Sequence, residues 1–137
     1  YEPFLAVGDF EVLLVVVNLA DRHTYIFEEK VIPAAVRQNV GVVAMKVLGG
    51  ASRKAGGYKN PDAAAEMPSD LLNLSVRYAM SVPGVATLNI GVHNRKQLLA
   101  DLEMVRSYRP LSIEEQHKVA ELGRPLAAQW GAHFGPA

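Results

Sequence analysis

Three short apolar runs, each followed by a segment with helical spacing, constrain the fold of this chain more than any other feature. The runs are VLLVVV at residues 12–17, VVAMKV at 42–47 and VATLNI at 85–90. Continuous β-branched runs are typical of strands that are buried on both faces of a parallel sheet. Because strands and helices alternate along the chain, the pattern predicts βαβ units with right-handed crossovers.

Apolar residues at helical spacing follow each predicted strand. We predict three crossover helices from this spacing, at residues 27–38, 68–80 and 94–107. Pro33 lies inside the first of them and predicts a kink or a restarted helix, whereas Pro68 is placed as the first residue of the second. The third helix is expected to bury Leu98, Leu102 and Val105.

A capping box predicts a fourth helix. Ser112 and Glu115 have the S-x-x-E spacing of that motif, and Gly123 and Pro125 are expected to end the helix. The predicted order is therefore three strand–helix units and one extra helix, with no internal boundary in residues 1–137. A complete (β/α)₈ barrel needs roughly 200 residues or more, so the chain is expected to be part of one domain.

The bulk composition limits the classes of function. Basic and acidic residues balance at 14 each, so no overall field favours nucleic acid or an anionic membrane. The chain has no cysteine, which excludes disulfides, thiolate metal sites and a cysteine nucleophile. Its most apolar run is too short to span a bilayer. The first residue is Tyr1 rather than Met, which indicates a segment of a longer protein or a processed chain.

Ligand sites in parallel α/β proteins lie at the carboxyl ends of the strands. Three segments qualify, at residues 18–24, 48–66 and 91–96. In the first segment Asn18 could hold a ligand or cap the turn that follows it, and the cap is the commoner outcome. Asp21 and Arg22 are expected to form a surface ion pair. The second segment is rich in glycine and basic residues but matches no phosphate-binding motif, so a surface loop is the simpler interpretation.

The third segment is the strongest candidate for an anion site. Gly91 would let the backbone approach a ligand, Asn94 can cap the next helix and Gln97 can close the cap from three residues on. Free N–H groups at the helix start, together with basic side chains, would then bind a phosphate; those side chains belong to His93, Arg95 and Lys96. The alternative is that Asn94 simply caps the helix and the cations point into water. The chemistry of the residues leaves both open.

No catalytic or metal-binding constellation emerges from the sequence. The four histidines form no HxxxH or HExxH pair; they are His23, His93, His117 and His133. Ser75 falls within a predicted helix and no G-x-S-x-G motif exists. We therefore expect no metal site and no catalytic residue in this chain.

Three segments resemble the last three βα units of aldo/keto reductases. They are FEVLLVVVNLADR, NVGVVAMKVLGG and RYAMSVPGVATLNIGVHNRKQLLADLEMV, within residues 10–115. The second resembles a bacterial branch of the family. The resemblance implies an α/β fold, a partial TIM (β/α)₈ barrel comprising strands six to eight plus a C-terminal helix.

The resemblance also implies cofactor-binding positions. Met45 matches the position that stacks on the nicotinamide, and Leu48 lies in the segment that covers the pyrophosphate. The loop around the adenosine 2′-phosphate matches Gly91, Val92, His93 and Asn94, and the positions that reach the 2′-phosphate and adenine match Gln97 and Asp101. The implied cofactor is NADPH, with NADH as the alternative, because the charge of Asp101 opposes a 2′-phosphate.

The family's catalytic Asp, Tyr, Lys and His belong to the first half of its barrel. The resemblance therefore implies the C-terminal, cofactor-binding part of an NAD(P)H-dependent oxidoreductase that reduces an aldehyde or ketone in the cytoplasm, and a chain that is inactive alone. Lys46 inherits no catalytic role. The alternative is a non-catalytic half-barrel that binds a nucleotide or a partner. Exposed strand edges predict that the isolated chain self-associates.

Overall fold

The computed structural model describes residues 2–50 and 66–134. Its centre is a parallel sheet of three strands in the order β1-β2-β3, which span Val12–Val16, Gly41–Met45 and Val85–Asn89. Val12 lies opposite Gly41 and Val16 opposite Met45, and the β2–β3 register shifts between Val42 and Val43. The predicted α/β class with a parallel sheet is confirmed.

Five α-helices accompany the sheet within residues 2–50 and 66–134. They are α1 at Glu2–Val7, α2 at Ile32–Arg37, α3 at Leu72–Ser81, α4 at Arg95–Arg106 and α5 at Ile113–Trp130. The sequence pattern did not predict α1. The predicted restart at Pro33 is confirmed, because a π-helical turn at Phe27–Val31 gives way to α2 with Pro33 in its first turn. Pro68 instead precedes a 3₁₀ turn at Ser69–Leu71, and α3 begins one residue later.

The core lies between the sheet and the helices α2 and α3. Its fully buried side chains include Val15, Val42 and Ala44 from the strands, and Ile32, Ala35, Val76 and Ala79 from the helices. The Ser75 hydroxyl donates to the Val47 carbonyl at 2.6 Å, which ties α3 to the end of β2. This strand order and this packing agree with the βαβ pattern that the sequence predicted.

Two apolar surfaces remain uncovered by the described residues. The first half of β1 is exposed, with Val12 at 53% and Leu14 at 43%, so the predicted burial of both faces is wrong for that half. No residue of α4 is buried, and Leu98, Leu102 and Val105 are 39–45% exposed. The predicted burial of these three residues is therefore wrong. The reason is physical: helical spacing places apolar residues on one face but does not supply the element that covers it.

Helix α5 continues through both residues that were expected to end it. The capping box is confirmed, since the Ser112 side chain accepts from the Glu115 N–H and the Glu115 carboxylate accepts from the Ser112 N–H. Gly123 is buried along with Val119 and Ala127, one residue per helical turn on the packed face. The expectation that the helix ends at Gly123 and Pro125 is wrong because packing of this face overrides the local cost of both residues.

Candidate functional site

The carboxyl ends of the three strands meet at one edge of the sheet. Val16 pairs with Met45, and Met45 pairs with Asn89 on its other side. The Val17 N–H continues the ladder by donating to the Met45 carbonyl at 3.1 Å. The segments that follow the three strands therefore begin side by side. These are the three segments that the sequence predicted as candidate ligand sites.

Asn18 is fully buried at this edge and caps the turn that follows β1. Its Oδ1 accepts from the N–H groups of Ala20 at 3.0 Å and Asp21 at 2.8 Å. Its Nδ2 donates to the Asp21 carboxylate at 2.6 Å and to the Lys46 carbonyl at 3.0 Å. The capping interpretation is confirmed, and because all four hydrogen-bonding positions of the amide are used, Asn18 has none left for a ligand.

The predicted surface pair between Asp21 and Arg22 does not form. Asp21 is 2% exposed and its Oδ1 lies 2.8 Å from Nε2 of His133. Arg22 instead lies over the ring of Tyr78, 5.2 Å from its centroid, with its Nε 4.0 Å from the Glu28 carboxylate. The expectation was wrong because the tertiary fold offers each charge a better partner than its sequence neighbour.

The end of β2 turns sharply. Met45 is half-buried, and Lys46 has φ of +56°, in the left-handed region that residues with a side chain rarely adopt. The Lys46 carbonyl accepts from the Gly49 N–H at 2.9 Å as well as from Asn18. Leu48 is half-buried against the core, and its carbonyl accepts from the Met67 N–H at 3.1 Å. Most of the glycine-rich, basic segment predicted at 48–66 lies outside the described residues.

The loop after β3 is open to solvent. Gly91, Val92, His93 and Asn94 are all exposed. A Cβ built on Gly91 would meet no described atom within 4 Å. The described residues therefore give no steric reason for glycine here, which leaves room for a ligand to approach the backbone.

The start of α4 is capped as the sequence predicted, with one difference. The Asn94 side chain accepts from the Gln97 N–H at 3.0 Å. Gln97 closes the cap on the His93 N–H at 2.8 Å, one residue earlier than the reciprocal motif requires. The N–H groups of His93 and Gln97 are thus occupied, whereas those of Arg95 and Lys96 lie in the first turn and have no partner within the helix.

Asp101 lies on α4, two turns beyond the cap, and is half-buried. Burial raises the pKa of its carboxyl group. Its charged form is consequently less favoured there than in water.

A groove of about 740 Å³ lies away from the predicted residues, lined in part by Arg22, Glu28, Tyr78, Tyr108 and Leu111. The Tyr78 hydroxyl donates to Glu28 Oε2, and Oε1 of Glu28 is buried with no hydrogen-bond partner among the described residues. Burial raises the pKa of Glu28 and, with the neighbouring carboxyl, that of Tyr78. Fifty residues separate this pair, so no local sequence signal could have found it.

Within residues 2–50 and 66–134, no group of three or more His, Cys, Asp or Glu side chains could hold a metal ion. Nor does any helix there combine the length and apolarity that crossing a lipid bilayer requires.

The fold is that of half an aldo-keto reductase. No family model and no curated protein matches the chain. An aldo-keto reductase from Bacillus halodurans in its holo form aligns with 98% of this chain over 49% of its own length, with a TM-score of 0.61 and 19% sequence identity. Its apo form aligns with the same share of this chain over 50% of its length, with a TM-score of 0.61 and 21% identity. The chain thus spans about half the length of these solved structures, and the resemblance predicted from the sequence is confirmed at the level of the fold.

Proposed function

We propose that this chain is the C-terminal, cofactor-binding part of an NAD(P)H-dependent oxidoreductase that reduces an aldehyde or ketone. The observation that carries this proposal is the alignment of 98% of the chain with half of an aldo-keto reductase. Ligands of parallel α/β barrels bind at the carboxyl ends of the strands. Met45 and the loop at residues 91–94 belong to that edge.

The adenosine end of the cofactor would bind at the start of α4. Gly91 leaves open space beside the backbone, and the unpaired N–H groups of Arg95 and Lys96 present partial positive charge. The loop Gly91, Val92, His93 and Asn94 would surround the phosphate, with Gln97 holding the loop in place through His93. The side chains of Arg95 and Lys96 carry charges that oppose the helix dipole at this end. A bound phosphate would give them an anion to pair with.

Asp101 sets the choice between NADPH and NADH. A carboxylate near a 2′-phosphate is repulsive, which favours NADH, whereas the cations of Arg95 and Lys96 at the start of the same helix attract a phosphate. We infer NADPH as the cofactor, with NADH as the alternative.

The nicotinamide end would lie against Met45, with Leu48 in the segment that covers the pyrophosphate. The bound cofactor supplies the hydride that reduces the carbonyl carbon. The catalytic Asp, Tyr, Lys and His would come from the other half of a barrel, so we infer that the chain alone does not reduce substrate. The whole enzyme would work in the cytoplasm.

Isothermal titration of the purified chain with NADPH, NADH and 2′-phospho-AMP tests this proposal. Binding of NADPH should weaken in Gly91→Ala. The added methyl group would occupy the space in which the cofactor approaches the protein backbone. Asp101→Asn should strengthen binding of NADPH more than binding of NADH, because it removes the repulsion of the 2′-phosphate.

Gly41→Ala is the matched control. Gly41 starts β2 at the opposite edge of the sheet, and its added Cβ would meet the Glu11 carbonyl at 3.4 Å. Its affinity for NADPH should equal that of the unmodified chain. Absence of a heat of binding with all three ligands would contradict the proposal that the chain binds the cofactor.

A second candidate is a partner-binding half-barrel without catalysis. The exposed apolar residues of β1 and of α4 favour it, because exposed apolar patches often mark protein interfaces. These residues include Val12, Leu14, Leu98, Leu99, Leu102 and Val105. Titration with nucleotides separates the two candidates, since this one requires no nucleotide affinity.

A further inference from the structure

A chain of buried polar contacts links the C-terminal segment to the end of β2. Nε2 of His133 lies 2.8 Å from Oδ1 of Asp21, and the two side chains are 3% and 1% exposed. Oδ2 of the same carboxylate accepts from Nδ2 of Asn18 at 2.6 Å. Nδ2 of Asn18 also donates to the Lys46 carbonyl at 3.0 Å. Two side chains from the turn after β1 and one from the C-terminal segment therefore support one peptide group.

The peptide group at Lys46 is where the backbone needs support. Its φ of +56° is unfavourable for a residue with a side chain and persists only where the surroundings hold it. The Lys46 carbonyl uses both of its lone pairs, one for Asn18 Nδ2 and one for the Gly49 N–H at 2.9 Å. Together these contacts fix the direction of the chain between Met45 and Leu48.

The contact between His133 and Asp21 joins a ring nitrogen to a carboxylate oxygen. A carboxylate oxygen accepts, and the tautomer of His133 that carries its proton on Nε2 supplies the N–H that donates to it. The ring of His133 is also held by packing, with the Phe134 ring centroid at 4.0 Å and the Trp130 ring edge-on at 5.6 Å. The Phe134 N–H donates to the Tyr25 hydroxyl at 2.9 Å, which holds the same segment to the turn after β1.

We propose that His133 is a positioning residue for the carboxyl end of β2, acting through Asp21 and Asn18. Its effect on cofactor affinity rests on the proposed function, because Met45 and Leu48 are the residues that would face the cofactor. The contacts that join His133 to Lys46 do not depend on that function, and they give the C-terminal segment a role at the carboxyl end of β2.

His133→Phe tests the proposal, because phenylalanine keeps the aromatic packing and removes the donor. Amide hydrogen exchange of Gly49 should accelerate roughly tenfold, as expected when a charge-assisted hydrogen bond in its support is lost. The amide of Ala44, buried in the middle of β2, should show no change beyond that of global stability. His133→Gln restores an N–H donor and should return Gly49 exchange towards that of the unmodified chain.

Asp21→Leu is the second variant if His133→Phe fails to fold. The change keeps a branched side chain of similar shape and removes both carboxylate oxygens, so neither Nε2 of His133 nor Nδ2 of Asn18 keeps its partner there. Gly49 exchange should again accelerate. Unchanged Gly49 exchange in a folded His133→Phe or Asp21→Leu variant overturns the proposal.

Titration with NADPH separates this inference from the function on which it rests. If the unmodified chain binds NADPH, His133→Phe should weaken the affinity roughly threefold or more and His133→Gln should restore it. If the unmodified chain binds no nucleotide while Gly49 exchange responds as stated, the proposed function fails and the positioning role stands. Equal affinity of the unmodified chain and His133→Phe contradicts the link to the cofactor.

Discussion

Gly123 of α5 lies directly against the carbonyl oxygen of Leu19. A Cβ on Gly123 would be 1.9 Å from that oxygen and 2.9 Å from Nε2 of His23. Leu19 follows β1 and is fully buried. Because the nearest atom belongs to the backbone, no side-chain rotation can relieve the overlap.

Gly123→Ala should therefore push α5 away from the turn after β1. We expect the free energy of unfolding to fall by about 1–3 kcal/mol, the usual cost of adding a methylene to a packed interior, although alanine is the better helix former. Urea denaturation followed by circular dichroism measures this change. Gly91→Ala is the control, since its Cβ meets no described atom within 4 Å, and it should alter stability by less than about 0.5 kcal/mol. Equal stability of the two variants would show that α5 does not pack as described.

Arg77 joins α3 to the start of α5 through a bidentate ion pair. Its Nη1 and Nη2 atoms lie 2.6 Å and 2.8 Å from the two Glu115 carboxylate oxygens, and the guanidinium also donates to the Arg109 and Pro110 carbonyls. Arg77→Met should lower the free energy of unfolding by roughly 2–4 kcal/mol, because these acceptors lose their partner.

Arg109→Ala is the matched control for that substitution in the same denaturation experiment. Arg109 pairs with the same carboxylate at 3.0 Å, but its side chain is 65% exposed. An exposed pair of this kind contributes less than about 1 kcal/mol. A larger loss in Arg109→Ala than in Arg77→Met would reverse the assigned roles.

The Arg77–Glu115 pair also predicts a pH dependence. The hydrogen bond from Arg77, followed by that from the Ser112 N–H, holds the pKa of Glu115 well below its ordinary value of 4.5. Because the folded pKa is depressed, the stabilisation is fully present above the unfolded pKa and is lost as pH falls below it. The stability difference between the unmodified chain and Glu115→Gln should be constant near neutral pH and shrink below about pH 4.5. A difference that does not change with pH would refute the ionic contribution.

Glu28 predicts the opposite pH dependence. Burial raises the pKa of Glu28 above its ordinary value of 4.5, and the hydrogen bond from Tyr78 offsets only part of this effect. The ionised form therefore weakens the fold as pH rises through the folded pKa. Glu28→Gln should be more stable than the unmodified chain at pH 7, and the advantage should vanish below about pH 4.5. Glu121→Gln, at an exposed position on α5, is the control in thermal melts across the same range. A Glu28→Gln advantage that does not change with pH would contradict the prediction.

The features predicted correctly from the sequence depend on residues that are close together in it. Asn94 and Gln97, and Ser112 and Glu115, are three residues apart and form the expected caps. The partner of Asp21 could not be predicted, because His133 lies 112 residues away and no local pattern records that distance. Gly123 was misread for a similar reason: glycine ends a helix locally, but here a backbone atom from another element requires it.

The apolar face of α4 predicts self-association of the isolated chain. Leu98, Leu102 and Val105 share a face that no described element buries. Leu102→Glu should shift the chain towards the monomer in multi-angle light scattering, because a charge on this face opposes burial. Gln129→Glu, which adds the same charge at an exposed position on α5, should leave the oligomer unchanged. A monomeric unmodified chain with a cooperative melt would contradict the prediction.

The distance between Asp21 and His133 also has a consequence for synthesis. A ribosome adds roughly 5–20 residues per second, so the 112 residues between them take roughly 6 to 22 seconds to make. During that interval the strands can pair, whereas the Asp21 carboxylate has no contact with His133. The turn after β1 therefore stays hydrated until His133 has emerged, and burial of this carboxylate follows the pairing of the strands.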